Sequence, residues 1–255
     1  MSETVINVMK RTELKYRLSK EQVAYFESKI LEHMEVDAYG LTSIASLYYD
    51  TPDYRLINRS IEKPKFKEKL RLRSYGLAKK DSPLFLEIKR KNDGIVYKRR
   101  AKVNQAIMDE YISHSKGIGD SQIERELHAF LRNYGVLEPK YLIVYDRVAY
   151  FEKDGDLRIT IDHNPRYRTD DLDLQTSMEG TPLLEEGEAI LEVKVQHSLP
   201  LWLSEILSKG KIYQTSFSKV GTAHQKEMRK LRDKLPLIHP SAQNQARRYG
   251  YGFSI

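Results

Sequence analysis

The sequence predicts an α+β protein built on an antiparallel sheet of about eight strands, closed into a barrel with a charged lumen and with helices packed outside. Three observations predict it. Residues 65–75 place Lys65, Lys67, Lys69, Arg71, Arg73 and Tyr75 in alternation with Phe66, Glu68, Leu70, Leu72 and Ser74. A strand sends alternate side chains to opposite faces, so this segment separates a ladder of cations from a mostly apolar surface. The same opposition of charge and hydrocarbon recurs in other segments. Stretches with helical spacing lie between them, and their apolar stripes, Trp202, Leu203, Ile206 and Leu207 among them, need an apolar surface to cover.

Taken in order, the first strand is expected over 6–18, where Arg11, Glu13, Lys15 and Arg17 oppose Thr12, Leu14, Tyr16 and Leu18. Ser19 followed by Glu21 and Gln22 reads as a helix start, giving a helix over 20–33. A strand over 43–49 ends at the turn Asp50-Thr51-Pro52. After the basic ladder, a strand over 84–91 aligns Glu87, Lys89 and Lys91, and Asn92-Asp93-Gly94 turns the chain into a strand over 95–102 that aligns Lys98, Arg100 and Lys102. Arg99 is out of phase with these and is expected to face solvent. Helical segments follow over 105–113 and 121–134. Strands resume over 139–151 and 157–167, joined at Asp154-Gly155, with Arg158, Thr160 and Asp162 on one face of the second. Residues 170–188 are polar and irregular. The last strand, 190–196, sets Glu192 and Lys194 against Leu191, Val193 and Val195, and helices are expected over 200–208 and 218–234. A catalytic domain over 1–235 and a loosely held tail over 236–255 complete the plan.

Composition narrows the classes of function. The 255 residues are 40% hydrophobic and 31% charged, with no cysteine, which excludes disulfides and thiolate metal sites. No apolar run reaches the roughly 18 residues of a membrane span, and residues 1–10 lack the apolar centre of a secretory signal, so a cytoplasmic protein is expected. A net charge of +7 points to an anionic partner. Gly117-Ile118-Gly119 lacks the remaining features of a dinucleotide fingerprint, the histidines form no i, i+4 pair, and no Ser/His triad order is present.

A small barrel ordinarily buries its apolar face and wets its charged one. Here the helices need the apolar face, and acids alternate with bases on the charged one: Arg11, Glu13 and Lys15; Glu87 and Lys89; Glu192 and Lys194. Carboxylates hold a hard divalent cation while Lys and Arg grip phosphate oxygens, so a metal-assisted phosphate site needs both on one surface. Burying many cations costs several kcal/mol each unless countercharge or water accompanies them. A wet lumen entered by a polyphosphate meets that condition.

The runs Arg11-Thr12-Glu13-Leu14-Lys15-Tyr16, Tyr48-Tyr49-Asp50-Thr51-Pro52, Lys69-Leu70-Arg71-Leu72-Arg73, Leu86-Glu87-Ile88-Lys89, Tyr145-Asp146-Arg147, Arg158-Ile159-Thr160-Ile161-Asp162, Leu191-Glu192-Val193-Lys194 and Ser216-Phe217-Ser218-Lys219 together resemble the VTC-type polyphosphate polymerase domain of the triphosphate tunnel metalloenzyme (CYTH) superfamily. The resemblance implies transfer of the terminal phosphate of ATP onto inorganic polyphosphate with Mn2+ or Mg2+. It implies Lys15, Arg71, Arg73, Lys89, Arg147 and Arg158 as catalytic cations. Lys98, Tyr145, Lys194, Ser218 and Lys219 would bind substrate, and Glu192, Glu87 and Glu13 would serve the metal. Ser218 and Lys219 begin a helix, whose N-terminus favours an anion.

Two departures stand out. Ser216 replaces a lysine of the eukaryotic polymerases, and Arg11 replaces the first acid of the Glu-x-Glu-x-Lys found in the related hydrolases. No SPX-like regulatory region or membrane anchor is expected, so any contact with the inner face of a membrane would run through a protein partner. The alternatives are a metal-dependent tripolyphosphate or nucleoside triphosphate hydrolase and a non-enzymatic polyanion-binding module. Nucleic acid is not the expected ligand, because Leu70 and Leu72, not aromatic rings, interleave with the basic ladder.

Overall fold

The computed structural model describes residues 12–62, 64–93, 95–104, 122–153, 155–196 and 198–234. The expected helix over 105–113, Gly117-Ile118-Gly119, Arg11 and the tail 236–255 lie outside the described residues. The chain divides into a unit of residues 1–223, which carries every described strand, and a second unit, 224–255, whose described part is the helical run to Lys234.

The strands are β1 (Thr12–Leu18), β2 (Glu35–Val36), β3 (Thr42–Asp50), β4 (Phe66–Tyr75), β5 (Leu84–Asn92), β6 (Ile95–Val103), β7 (Glu138–Phe151), β8 (Arg158–Arg168), β9 (Thr181–Pro182) and β10 (Ala189–Val195). They form one antiparallel sheet in the order β1-β10-β8-β7-β3-β4-β5-β6, with the two-residue strands β2 and β9 added to β7 and β8. The sheet is not the closed barrel expected from sequence, because among the described residues no ladder joins β1 to β6. The free edge of β1 is already occupied. Thr215 donates its backbone N–H to the Lys15 carbonyl at 2.7 Å, and Gln214 bridges Tyr16. The sheet nevertheless curls until side chains meet across it: Lys89 Nζ on β5 stands 3.2 Å from Glu13 Oε2 on β1.

Five helices accompany the sheet among the described residues: α1 (Lys20–Ile30), α2 (Arg55–Glu62), α3 (Gln122–Tyr134), α4 (Leu201–Lys209) and α5 (Lys219–Lys234). Ser19 caps α1 in a reciprocal box with Gln22. The apolar face of the sheet is turned outwards against helices. Leu70, Leu72, Leu86, Ile88 and Leu142 pack with Leu127 and Phe130 of α3. Ile159, Ile161, Leu191 and Val193 pack with Phe26 and Ile30 of α1 and with Leu203, Ile206 and Leu207 of α4. Trp202 joins that edge, its ring stacked on His33 at 4.2 Å. Arg99 does not face solvent. It lies on the covered side, where its Nε donates to Glu126 Oε1 of α3 at 3.0 Å, and Arg90 links the same Glu126 to the buried Glu68.

The inner face is less uniformly charged than the alternation implies. Ile44 of β3, Tyr141 and Ile143 of β7 and Tyr167 of β8 form an apolar patch there, covered by Ile57 of α2 and by Val220 and Ala223 of α5. The helix α2 follows what reads in sequence as a plain turn. The buried Asp50 makes it: Oδ1 accepts the N–H groups of Thr51 at 2.7 Å and Leu56 at 2.8 Å, and Oδ2 that of Ile57 at 2.8 Å. One carboxylate thus satisfies donors that the first turn of a helix leaves open. Asp50→Ala is expected to lower unfolding stability by about 2 kcal/mol, read as a lower urea midpoint at unchanged slope.

Candidate active site

The inner face gathers its charged residues into two groups joined by one tyrosine. In the first, β4, β5 and β6 converge on Glu87, which is 1% exposed. Cα registers pair Arg71 with Glu87 and Glu87 with Arg100. Arg71 donates Nε at 2.8 Å to Oε2, Arg100 donates Nε at 2.7 Å to Oε1, and Lys98 Nζ is 2.8 Å from Oε1. Arg73, 5% exposed, stands 3.9 Å from the same carboxylate. Burial opposes ionisation of Glu87, but Arg71, Arg73 and Lys98 hold it well below the ordinary range.

The second group forms where β1, β10, β8 and β7 meet the start of α5. Lys15 Nζ lies 2.9 Å from Glu192 Oε1 and 3.3 Å from Glu13 Oε1. Arg147 grips Asp162 through Nε at 2.5 Å and Nη2 at 2.8 Å, and reaches Glu192 Oε2 at 3.4 Å. Lys219 pairs with Asp162 and stands 3.7 Å from Glu192. Despite burial, Glu192 is held well below its ordinary value, by Lys15, Lys219 and Arg147, and Asp162 is lowered by Lys219 and Arg147. Burial likewise opposes Glu13, yet Lys89 and Lys15 bring it to about 2.

Tyr145 joins the groups. Its hydroxyl accepts from Arg73 Nη2 at 3.0 Å, while its ring lies under Lys219 at 4.5 Å and Arg147 at 5.1 Å. Ser218 precedes the first residue of α5. Its Oγ accepts from Gly221 N at 3.2 Å and from Lys69 Nζ at 3.0 Å.

Among the residues expected from sequence, Lys15, Arg147, Tyr145, Lys219, Glu13 and Glu192 come together, with Lys89 attached through Glu13. Arg71, Arg73, Lys98 and Glu87 form the other group. Lys194 pairs in register with Glu13 and Arg158, and burial lowers its pKa. Arg158 is exposed near that end of the sheet, its guanidinium 5.6 Å from the Phe151 ring. Lys69 and Tyr48, which the sequence assigns no site role, are central. Tyr48 is opposite Arg71 in register and accepts from Arg71 Nη1 at 3.1 Å. Burial, with Lys89 and Lys15 nearby, pushes Lys69 down to about 8, and burial brings Lys98 to about 8. Burial should raise Tyr48, but Arg71 and Lys69 lower its phenol to about 7.

The three carboxylates expected to serve a metal do not form one set. Glu87 belongs to the guanidinium group, away from Glu13 and Glu192. Among the described residues no three His, Cys, Asp or Glu side chains gather as a metal site. Glu13 and Glu192 do share one cation, the Lys15 ammonium between them. Glu13 and Glu192 are the residues that would hold a divalent ion there, and their carboxylates suit Mg2+ or Mn2+.

The result is a curled antiparallel sheet with helices outside and a cationic inner face broken by carboxylates. The VTC domain family matches residues 10–227, and the chain belongs to that family. A Bacillus halodurans protein described as a candidate adenylate cyclase shares the fold, with a TM-score of 0.52 and 14% identity over 82% of this chain and 96% of that one. A candidate adenylyl cyclase from Hippeastrum, described as having a dominant triphosphatase activity, aligns with a TM-score of 0.51 and 18% identity over 91% of this chain and 100% of that one. No curated protein sequence matches the chain. No helix among the described residues is long and apolar enough to cross a membrane.

The cationic field makes a spectroscopic prediction. The Tyr48 phenol, ordinarily near 10, is lowered, so phenolate absorbance should appear as pH rises through about 7 and should be missing from Tyr48→Phe. Inorganic tripolyphosphate neutralises the cations that favour phenolate, so adding it should move this step to higher pH.

Proposed function

We propose that the protein is a polyphosphate polymerase, transferring the γ-phosphate of ATP onto inorganic polyphosphate at the inner face of the sheet. The observation that carries this reading is the surplus of inward cations. Lys15, Lys69, Arg71, Arg73, Lys89, Lys98, Arg100, Arg147, Lys194 and Lys219 outnumber Glu13, Glu87, Asp162 and Glu192 on one surface, and a row of phosphates supplies the missing charge.

In this reading a terminal phosphate oxygen of the polymer attacks the γ-phosphorus. The bond from that phosphorus to the oxygen bridging the β-phosphate breaks, and ADP leaves with its electron pair. Arg71 and Arg73, whose forks are held by Glu87, Tyr48 and Tyr145, orient the transferring phosphate, and Lys15, Arg147 and Lys219 neutralise charge beside it. A divalent cation, Mn2+ or Mg2+, held by Glu13 and Glu192, would supply further charge neutralisation. The attacking phosphate is already ionised and needs no base. Glu13, Glu87, Asp162 and Glu192 are each engaged by cations, which disfavours activation of water.

A metal-dependent triphosphate hydrolase is the second reading, favoured by the activity described for the Hippeastrum relative. One assay separates them. Protein supplied with ATP, a polyphosphate primer and Mn2+ should yield ADP and acid-labile polymer, whereas orthophosphate without polymer would select the hydrolase. Arg71→Ala should lower kcat/KM for ATP by about a hundred-fold or more. Glu192→Gln should also slow turnover and should raise the metal concentration needed for half-maximal rate.

A further inference from the structure

The inner face ends differently at its two extremities. Tyr75 stands two residues beyond Arg73 on β4, about 6.7 Å further along the strand, and Phe85, two residues beyond Glu87 on β5, is opposite Arg73 in register. Their rings meet edge to face at 5.7 Å between centroids. The Arg100 guanidinium lies over the Phe85 ring at 4.6 Å and over Tyr75 at 5.9 Å, and its Nη2 donates to the Tyr75 hydroxyl at 2.9 Å. The same guanidinium is anchored on Glu87, so the aromatic pair is tied directly to the group that holds Arg71. Tyr75 is nevertheless 47% exposed. At the other end of these strands the register pairs Lys67 with Lys91, two point charges without a ring.

From this asymmetry we infer that Tyr75, Phe85 and Arg100 form the subsite for the base of the nucleotide donor. An extended nucleoside triphosphate with its phosphates on Arg71 and Arg73 carries its base outwards in this direction. A purine stacks on an exposed tyrosine or on a guanidinium plane held flat by a carboxylate. Phosphates have no use for the rings, so the subsite distinguishes a nucleotide from inorganic phosphate chains that the cations alone hold equally well. The inference rests on the polymerase reading only in taking ATP as the donor.

Calorimetric titrations of the whole chain with ATP and, separately, with inorganic tripolyphosphate test it. Tyr75→Leu should weaken ATP binding about ten-fold and leave tripolyphosphate unchanged. Tyr75→Phe, which keeps the ring and loses the Arg100 hydrogen bond, should retain most of the ATP affinity. Phe151→Leu removes the ring beside Arg158 and should change neither. The subsite is overturned if Tyr75→Leu leaves ATP binding intact, if it weakens both ligands alike, or if the selective loss appears in Phe151→Leu instead. Failure of the wild-type protein to make polymer would sink the polymerase reading and leave the comparison of the two ligands to decide the base subsite.

Discussion

The arrangement depends on holding an excess of positive charge on the concave side of a sheet. Removing a cation from water costs several kcal/mol, and the few inward carboxylates cannot offset this one for one. The structure shares each carboxylate among several cations. Glu87 serves Arg71, Lys98 and Arg100, while Asp162 serves Arg147 and Lys219. Tyrosines supply the remainder, as acceptors for Arg71 and Arg73 and as a π face for Arg147 and Lys219. The side chains are ordered before any ligand arrives and the countercharge remains incomplete. That combination favours a polyanion, which finishes the neutralisation while the arginine forks stay in place.

Apart from the inner patch under α2 and α5, the apolar packing follows from turning the charged face inwards. Leucines, isoleucines and valines of the strands must then be covered from outside, and α1, α3 and α4 do so. The helices leave one edge for a different task. The segment after α4 lies along the edge of β1 that a closed ring would pair with β6, and leads directly to Ser218 and Lys219. The openness of the sheet and the arrival of Lys219 beside Asp162 are thus one feature, because the chain that blocks the seam delivers the cation.

Much of this was legible in sequence, because a strand with charge at every second position is constrained by geometry alone. The ladder Lys69, Arg71, Arg73, the pair Glu192 and Lys194, and the matching of Leu70 and Leu72 to a helix-covered face all follow from a period of two. Features set by distant partners were not legible. Nothing local marks Asp50 as the carboxylate that starts α2, or Arg99 as a partner of Glu126 rather than of water. Glu87 and Glu192 look alike on their strands, and only the neighbours across the sheet separate them. Tyr48 carries no local signal, because tyrosine is an ordinary strand former, and its role appears once Arg71 is placed opposite.

The contrast between those two glutamates orders the site. Both oxygens of Glu87 are engaged by arginine forks, whose planar, directional donors leave little to exchange. Glu192, which Arg147 reaches at 3.4 Å, shares with Glu13 the ammonium of Lys15, a compact charge on a flexible stem that is itself 23% exposed. A lysine in that position can turn to a new anionic partner with little loss, because ammonium contacts are not tied to one plane. The Glu87 group is therefore a fixed clamp, and the Glu13–Glu192 pair is the exchangeable end. In the proposed reaction, a substrate bound between them would meet immobile charge on one side and replaceable charge on the other.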